Sequence, residues 1–247
     1  MRKLRPAPEP VITPFEVLAF DVETNGVNVP DAQIISFALI RMTQHADGSI
    51  TTVDLATGVV NPETCVPEEA TRIHGITSAT AALGMSAADA VSVMLHVIQA
   101  STAPVCAFNA RFDLSVLAAE AQRAGVPHAA LFGVPVVDPL VIDRQLDPRR
   151  PGGRKLARVC RHYGVSLVGA HDARADAVAA GGVFFRLLNK FPRLRSLVGD
   201  ARALHAAQVG WAASQAAGLE AHLRRSDPGV VVDAGWPFAR VVLEGEP

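Results

Sequence analysis

The chain has 247 residues, 49% of them hydrophobic and 19% charged, and its formal net charge at pH 7 is −1. This balance is that of an ordinary globular protein and excludes a disordered or collagen-like chain. No run reaches the roughly 18 to 20 apolar residues of a membrane-spanning helix, and segment 1–14 lacks the apolar stretch of a secretory signal. We therefore expect no membrane partner. Three widely spaced cysteines favour a reduced, cytoplasmic protein over a disulfide framework: Cys65, Cys106 and Cys160.

The first half of the chain predicts a meander of strands followed by helices. Short apolar runs bounded by turn residues predict three strands, at residues 17–21, 34–42 and 50–55. A short helix is expected over 67–72, ending at Gly75. Ser86 is expected to cap a longer helix that continues to about Ala100.

The second half predicts strands that alternate with helices. Strands are expected at 105–108 and 134–137, and helices at 112–124, 139–145, 156–163, 172–188 and 195–225. This order indicates an α/β fold with a mixed sheet. In the last helix, Leu197, Leu204 and Trp211 recur every seven residues, which leaves open packing against the helix's own domain or docking to a partner.

Two acidic side chains follow the first predicted strand. Asp21 and Glu23 are two residues apart, so on a strand both carboxylates point to the same face. Two unpaired negative charges about 4 Å apart repel by roughly 4 kcal/mol at an effective dielectric constant of about 20, a cost that a cation between them removes. Hard divalent ions such as Mg²⁺ or Mn²⁺ prefer such oxygens, although exposed strand ends also carry acids without a metal.

Further acids are expected near the same edge of the sheet, where open α/β sheets bind ligands. Asp113 lies near the start of the helix after strand 105–108, and a favourable interaction with the helix dipole is the alternative explanation for it. Asp172 fits the N-cap of a long helix, with Asp176 in its second turn and His171 just outside. Histidine at such a place is suited to accept a proton from water.

A basic stretch lies between these segments. Residues 144–161 hold six arginines and one lysine against a single acid, Asp147. Arginine binds phosphate oxygens bidentately, which favours a contact with a nucleic-acid backbone, whereas a solvated loop and helix face would explain the same charge. The basic residues are Arg144, Arg149, Arg150, Arg154, Lys155, Arg158 and Arg161.

Four segments, taken together and in order, resemble a known family. They are Asp-x-Glu-Thr-x-Gly at 21–26, Arg-Ile-His-Gly-Ile-Thr at 72–77, Asn-x-x-Phe-Asp at 109–113 and His-x-x-x-x-Asp at 171–176. This set resembles the DEDDh superfamily of DnaQ-like 3′→5′ exonucleases, which includes the ε proofreading subunit of bacterial DNA polymerase III. The resemblance implies a ribonuclease-H-like fold with a mixed five-stranded sheet flanked by helices. It divides the chain into a tail at 1–14, an exonuclease domain at 15–190 and a helical C-terminal extension at 191–247.

The resemblance also implies roles for individual residues. The four metal-binding carboxylates correspond to Asp21, Glu23, Asp113 and Asp176, and the general base corresponds to His171. Contacts with the 3′ end of the substrate are implied for Thr24, Gly26, His74, Asn109 and Phe112. The sequence departs from the family pattern at Asn25, where threonine is usual, and we interpret this as an adjustment of substrate contact. Asp172, directly after the base, either caps the helix or acts on the base.

The implied chemistry is hydrolysis of phosphodiester bonds with two Mg²⁺ or Mn²⁺ ions about 4 Å apart. His171 would remove a proton from the attacking water, and nucleoside 5′-monophosphates would leave the 3′ end of single-stranded DNA. Replication proofreading or repair is the implied process, with a DNA polymerase as a further candidate partner. The motifs leave open a 3′→5′ exoribonuclease, since they do not determine contact with a 2′-hydroxyl. They also leave open a catalytically inactive nucleic-acid-binding subunit, which would not need all four acids and the histidine.

Overall fold

A six-stranded mixed sheet organises the protein, and a computed structural model describes residues 15–243. The strands are β1 (Phe15–Thr24), β2 (Ile34–Gln44), β3 (Ile50–Asn61), β4 (Met85–Ser86), β5 (Val105–Cys106) and β6 (Val136–Val137). They lie in the order β4-β3-β2-β1-β5-β6. The long strands β1, β2 and β3 pair antiparallel, whereas the two-residue strands β4, β5 and β6 pair in parallel. The predicted tail at 1–14 lies outside the described residues.

Helices occupy most of the remaining described chain. They are α1 (Glu68–His74), α2 (Ser78–Ala81), α3 (Ala87–Ala100), α4 (Ala110–Arg123), α5 (Pro139–Leu146), α6 (Leu156–Tyr163), α7 (Ala173–Lys190), α8 (Pro192–Arg195), α9 (Ala201–Leu223) and α10 (Arg240–Leu243), with a 3-10 helix at Ala129–Gly133. The predicted cap of α3 is present, because Ser86 Oγ accepts a hydrogen bond from Asp89 N at 3.1 Å. Among these helices, none has both the length and the apolar character needed to cross a bilayer.

Side chains of β1 alternate between two hydrophobic cores. Even-numbered residues such as Phe20 join the core that α3 and α4 cover, and odd-numbered residues such as Ala19 join the core that α6 and α7 cover. The odd series continues with Asp21 and Glu23. The alternation therefore directs both carboxylates towards the α7 side of the sheet.

Helix α7 lies directly against the sheet. At Gly181 a β-carbon would collide with Met42 Sδ of β2 and would lie 3.6 Å from the β-carbon of Ala19 on β1. Glycine therefore allows the helix backbone to approach the strands as closely as it does. This packing determines how near the first turn of α7 comes to the end of β1.

The structure confirms the predicted α/β fold with a mixed sheet and adds a sixth strand to the five expected. Strand β4 pairs with the end of β3, and its two residues are too few to give a sequence pattern. The prediction of one helix over 195–225 is wrong. The chain turns between α8 and α9, and Asp200 begins a new helix by accepting a hydrogen bond from Arg202 N at 2.8 Å.

The segment after α7 packs against the rest of the described protein. Leu204 of α9 is buried in the second core, and Trp211 packs against both cores. Further along the chain, Trp236 and Phe238 join the first core. Of the two interpretations open for the repeat of Leu197, Leu204 and Trp211, the structure therefore shows packing against the protein's own core.

Candidate active site

The end of β1 carries the first two acids. Glu23 is 9% exposed, and Asp21, two residues earlier on the same face of the strand, is half-buried. Strand β1 lies between β2 and β5 inside the sheet. Because β5 runs parallel to β1, the helix that follows β5 begins at the edge where these acids lie.

That helix, α4, supplies the third acid. Asp113 is in its first turn and is 4% exposed. Its Oδ1 accepts a hydrogen bond from Val22 N at 3.2 Å, and Val22 is the residue between Asp21 and Glu23. The contact joins α4 to β1 and brings the third carboxylate to the first two, as the sequence predicted.

The turn before α7 supplies the fourth acid and the histidine. Asp172 caps the helix, because its Oδ1 accepts a hydrogen bond from Ala175 N at 2.9 Å. His171 has a positive φ of 67°, and its backbone N–H donates to Asp176 Oδ2 at 3.2 Å. One ligand atom each from Glu23, His171 and Asp176 lies within 4.8 Å of the others. The side chain of His171 is exposed, so water reaches it.

Burial raises the pKa of all four carboxyls, and the charges of neighbouring acids add to the effect. The pKa of Asp21 is raised well above its ordinary value by burial first and then by the charges of Asp113 and Glu23. Burial, reinforced by Asp176, raises the pKa of Glu23 to about 7. Burial is also the main cause of the raised pKa of Asp113 and of Asp176. Within residues 15–243, none of the four forms an ion pair with lysine or arginine.

This set of donors fits a hard divalent cation. Asp176 Oδ1 is buried and has no hydrogen-bond partner among the described residues, a state that costs free energy unless a ligand satisfies the oxygen. Carboxylate oxygens are the donors that Mg²⁺ and Mn²⁺ prefer. A bound cation would also remove the repulsion that raises the four pKa values. The arrangement can therefore hold divalent metal at the end of β1.

The turn after β1 is stabilised from within. Thr24 Oγ1 donates to the carbonyl oxygen of Gly26 at 2.6 Å. Asn25 Oδ1 accepts from Gln33 N at 2.8 Å, and its Nδ2 donates to Gln33 Oε1 at 3.1 Å. The carboxamide of Asn25 thus holds the turn that Thr24 and Gly26 form, and an adjustment of substrate contact by Asn25 stays a prediction. Apart from Gly26 itself and its two chain neighbours, no heavy atom of the described residues lies within 4 Å of the place of a β-carbon on Gly26, so the turn is open on that side.

The other residues expected at the 3′ end have different surroundings. His74 Nδ1 accepts a hydrogen bond from Ile76 N at 3.1 Å, which makes Nε2 the donor, and Nε2 is buried with no partner in the described chain. Burial, and next the charge of His171, lower the pKa of His74, so the two rings are close enough to interact. Asn109 is exposed just before α4, and Phe112 packs partly against the first core.

The basic stretch is not one continuous surface. Arg150 is buried and bonds Asp143 twice, from Nε at 3.1 Å and from Nη2 at 2.8 Å. Arg154 also bonds Asp143, and Arg154 Nη2 donates to the carbonyl of Asp147 at 2.7 Å. The hypothesis of a phosphate-contacting patch is therefore wrong for Arg150. The exposed cations without a partner in the described chain are Arg144, Arg149, Lys155, Arg158 and Arg161.

A protein-family model matches the part of the chain that holds these residues. The family model described as Exonuclease (RNase_T) matches residues 18–184, and the chain belongs to this DnaQ-like exonuclease family. The match contains most of β1, all of α4 and the first turns of α7, and therefore all four acids and His171. It ends before α8, α9 and the C-terminal segment.

Curated relatives and solved structures extend the comparison. Over 172 residues the chain is 28% identical to a PolC-type DNA polymerase III of Lacticaseibacillus paracasei, a match to 70% of this chain and 11% of that protein. It is 29% identical to a DNA polymerase III subunit epsilon-like protein of Rhodobacter capsulatus, over 71% of this chain and 24% of the relative. The chain thus spans only about a tenth of the length of the PolC-type relatives it matches.

The fold is shared with E. coli exonuclease I. Its complex with a dT13 oligonucleotide superposes with a TM-score of 0.63 at 20% identity, over 75% of this chain and 43% of the other. A zinc-bound form of the exonuclease I complex with single-stranded DNA gives the same score at 21% identity. The predicted ribonuclease-H-like fold is thereby confirmed.

Proposed function

We propose that this protein is a divalent-metal-dependent 3′→5′ exonuclease acting on DNA. The observation that carries the proposal is the meeting of four carboxylates and one histidine, from β1, α4 and α7, without any compensating cation from the described chain. Such a cluster costs stability unless it binds a cation, so its value to the protein lies in that ligand. Membership of the exonuclease family and the single-stranded DNA in complexes of the same fold support a nucleic-acid substrate.

Asp21, Glu23, Asp113 and Asp176 would hold two Mg²⁺ or Mn²⁺ ions. When bound, such ions supply Lewis-acid stabilisation of the charge that develops on phosphodiester oxygens and lower the pKa of water. The buried Asp176 Oδ1, which has no partner in the described chain, is a ready donor for this purpose. The hydrogen bond that Val22 N donates to Asp113 Oδ1 joins α4 to β1 and so holds the third carboxylate beside the first two.

His171 would serve as the general base. It would take a proton from the attacking water, whose oxygen would form a bond to phosphorus. The bond from that phosphorus to the O3′ of the preceding nucleotide would break, and this O3′ would take a proton from solvent to become the new 3′-hydroxyl. The released product would be a nucleoside 5′-monophosphate. The exposed ring and its place beside Glu23 and Asp176 support this role, and the bond from its N–H to Asp176 keeps it at the metal site.

Five other residues are candidates for contact with a terminal nucleotide. Thr24 and Gly26 form the turn next to the acids, and His74 presents a buried N–H donor on the His171 side. Asn109 exposes its carboxamide beside α4. Phe112, which packs partly on the core, would offer only its exposed edge. We propose these as the contacts with the 3′-terminal nucleotide.

A variant of the histidine tests its assignment directly. His171→Gln should lower the rate by roughly 10² to 10⁴-fold, the usual range for removal of a general base. Mn²⁺ binding, measured by calorimetry, should change little. A collapse of metal affinity together with rate would make His171 a ligand instead.

Digestion of oligonucleotides labelled at the 5′ end tests the whole proposal. With Mg²⁺, the label should remain on a ladder of shortening products, and chromatography should find nucleoside 5′-monophosphates. Asp113→Asn, purified in parallel, controls for contaminating nucleases. Matched DNA and RNA, each single-stranded and duplex, decide the substrate. Early release of the label would contradict the polarity, and digestion of RNA alone would indicate an exoribonuclease.

A further inference from the structure

Asp138 is a buried carboxylate at the end of β6 that the proposed chemistry does not use. It is 1% exposed, and each of its oxygens accepts two N–H groups. Oδ1 accepts from Asn109 N at 3.0 Å and Leu140 N at 2.9 Å. Oδ2 accepts from Ala110 N at 3.0 Å and from the indole Nε1 of Trp236 at 3.3 Å. Three parts of the fold therefore meet at this one side chain: the start of α4, the start of α5 and the C-terminal segment.

Asp138 performs the capping that Asn109 does not. Asn109 occupies the N-cap position of α4 in the left-handed conformation, with φ of 69°, and its side chain makes no capping hydrogen bond. The first N–H groups of a helix need an acceptor, and the carboxylate of Asp138 provides it from another strand. As a result the carboxamide of Asn109 stays exposed and available for a ligand.

The same helix turn leads to the metal-binding candidates. Asp113 lies in the first turn of α4, which the carboxylate of Asp138 caps, and its Oδ1 bonds Val22 N between Asp21 and Glu23. A change in the position of the α4 N-terminus would therefore move both Asn109 and Asp113. Groups that orient the ligands of a metal in this way commonly change metal affinity or activity by 10 to 100-fold.

Side chains outside the family match hold Asp138 in place. The match ends at residue 184, whereas Gln208 Oε1 accepts from Asp138 N at 2.7 Å and Gln208 Nε2 donates to Val136 O at 2.9 Å. Trp236 is 9% exposed, and its ring packs on that of His205, with the two ring centroids 5.2 Å apart. The C-terminal segment thus contributes a donor to a carboxylate that caps α4.

We propose that Asp138 is a positioning residue of the nuclease site and that Trp236, from the C-terminal segment, fixes it there. The inference rests on the proposed function for its catalytic consequence. The inference gives the segment after residue 191 a part in the site. The indole N–H of Trp236 holds Asp138, and Asp138 holds the start of α4, which carries Asp113.

The two tryptophans of the chain offer a matched experiment. Trp236→Phe removes the indole N–H and keeps an aromatic ring, and Trp211→Phe makes the same change on α9, where the indole has no hydrogen bond among the described residues. Trp236→Phe should lower kcat/KM on single-stranded DNA on the order of 10-fold, and Trp211→Phe by less than twofold. Asp138→Asn, which preserves the shape of the side chain, should also lower kcat/KM.

Two further measurements separate positioning from general packing. In metal-free protein, amide hydrogen exchange at Asn109 and Ala110 should become faster in Trp236→Phe and stay unchanged in Trp211→Phe. The effect of Trp236→Phe on kcat/KM should shrink when Asp138→Asn is already present, because the indole acts through Asp138 and residues on one path are not additive.

The outcomes distinguish the inference from the proposed function. Equal losses in both tryptophan variants, or unchanged exchange at 109–110 in Trp236→Phe, would overturn the positioning role. A wild-type protein without nuclease activity would overturn the proposed function instead, and the exchange measurement would still decide whether Trp236 fixes the α4 N-terminus.

Discussion

One buried carboxylate, Asp143, and the cluster of four acids at the end of β1 have opposite surroundings. Asp143 on α5 is fully buried, and it accepts hydrogen bonds from Arg150, Arg154 and, at 2.6 Å, Tyr163 Oη. Burial opposes its ionisation, yet the bonds from Arg150, Tyr163 and Arg154 hold the pKa of Asp143 below its ordinary value. The four acids at the end of β1 have no such partner in the described chain, and their pKa values are raised.

The difference distinguishes a carboxylate with a structural role from a cluster of acids that can bind a cation. The charge of Asp143 is balanced within the protein, so it ties the loop that carries Arg150 and Arg154 to α5. The acids near Asp21 have no such balance within the described chain, and a bound cation would supply it. Burial is common to both groups, and the presence of arginine is what distinguishes them.

Removing an acid from the uncompensated group should have the largest effect on activity. Asp21→Asn should reduce the exonuclease rate by roughly 10³-fold, equivalent to about 4 kcal/mol of transition-state stabilisation, because one of the proposed metal ligands is removed. Thermal stability without metal should stay the same or rise, since the change relieves repulsion. Initial rates and melting curves on one preparation measure both. Full activity with Mg²⁺ would remove Asp21 from the site.

Removing the acid from the compensated group should act on stability instead. Asp143→Asn leaves Arg150 buried without its partner, so the free energy of unfolding should fall by about 3–5 kcal/mol. Activity per folded molecule should be retained. Denaturant unfolding measures the loss, and Asp54→Asn is the control, because its ion pair with Arg174 is exposed and worth less than about 1 kcal/mol. Equal stability losses in the two variants would contradict the comparison.

The raised pKa of Glu23 predicts an unusual pH dependence without metal. In the folded protein its carboxyl keeps a proton up to about pH 7, whereas in the unfolded chain it ionises near its ordinary value of 4.5. Stability in EDTA should therefore fall as pH rises from 4.5 to 7, by up to about 1.4 kcal/mol per pH unit for one such group. Glu23→Gln should flatten this slope, as thermal melts in a pH series would show.

Metal should reverse the same trend. Mg²⁺ requires ionised carboxylates, so its stabilising effect should grow with pH, and it should reach about 2.7 kcal/mol at 100 times the dissociation constant. Melts with Mg²⁺ and with EDTA at pH 5 and pH 8 test this. A Mg²⁺ effect that is equal at both pH values would argue against a carboxylate site.

The unpaired cations should give the smallest effect. Lys155→Glu with Arg158→Glu should raise KM on long single-stranded oligonucleotides and reduce the salt dependence, by about 0.7 in log–log slope for each phosphate that the protein no longer neutralises. Hydrolysis of the nitrophenyl ester of thymidine monophosphate should not change. Arg193→Glu with Arg225→Glu, exposed cations elsewhere in the chain, is the matched control. Unchanged KM and salt slope would leave these residues as solvated surface.

Local patterns predicted most of the fold and the components of the acidic cluster. Alternation in β1 is enough to place Asp21 and Glu23 on one face, and the position of Asp172 before an apolar helix favours a cap, which the structure shows. The sequence also carries a signal for the break in the 195–225 segment, because Gly199-Asp200 is a typical helix start.

The pairings that sequence could not predict depend on tertiary contacts. Asp143 lies just outside the basic stretch, so its balance with Arg150 follows only from the path of the loop at 147–155. Asp138 and Trp236 are 98 residues apart, and no periodicity relates them. The Asp-Pro at 138–139 could have indicated an N-cap for α5, but the second helix that Asp138 caps follows only from the docking of α4 beside β6.

Gly181 has a consequence for the tolerance of the site to mutation. It lies beyond the first turn of α7 that carries the acid at Asp176, and its missing side chain lets the helix rest on Met42 and Ala19. A methyl group added at Gly181 would collide with Met42 and push α7 away from the sheet. Asp176 on α7 would then move away from Asp21 and Glu23 on β1. Substitutions of Gly181 should therefore lower activity, as substitutions of the acids do. A smaller side chain at position 42 should restore the activity that such a substitution removes.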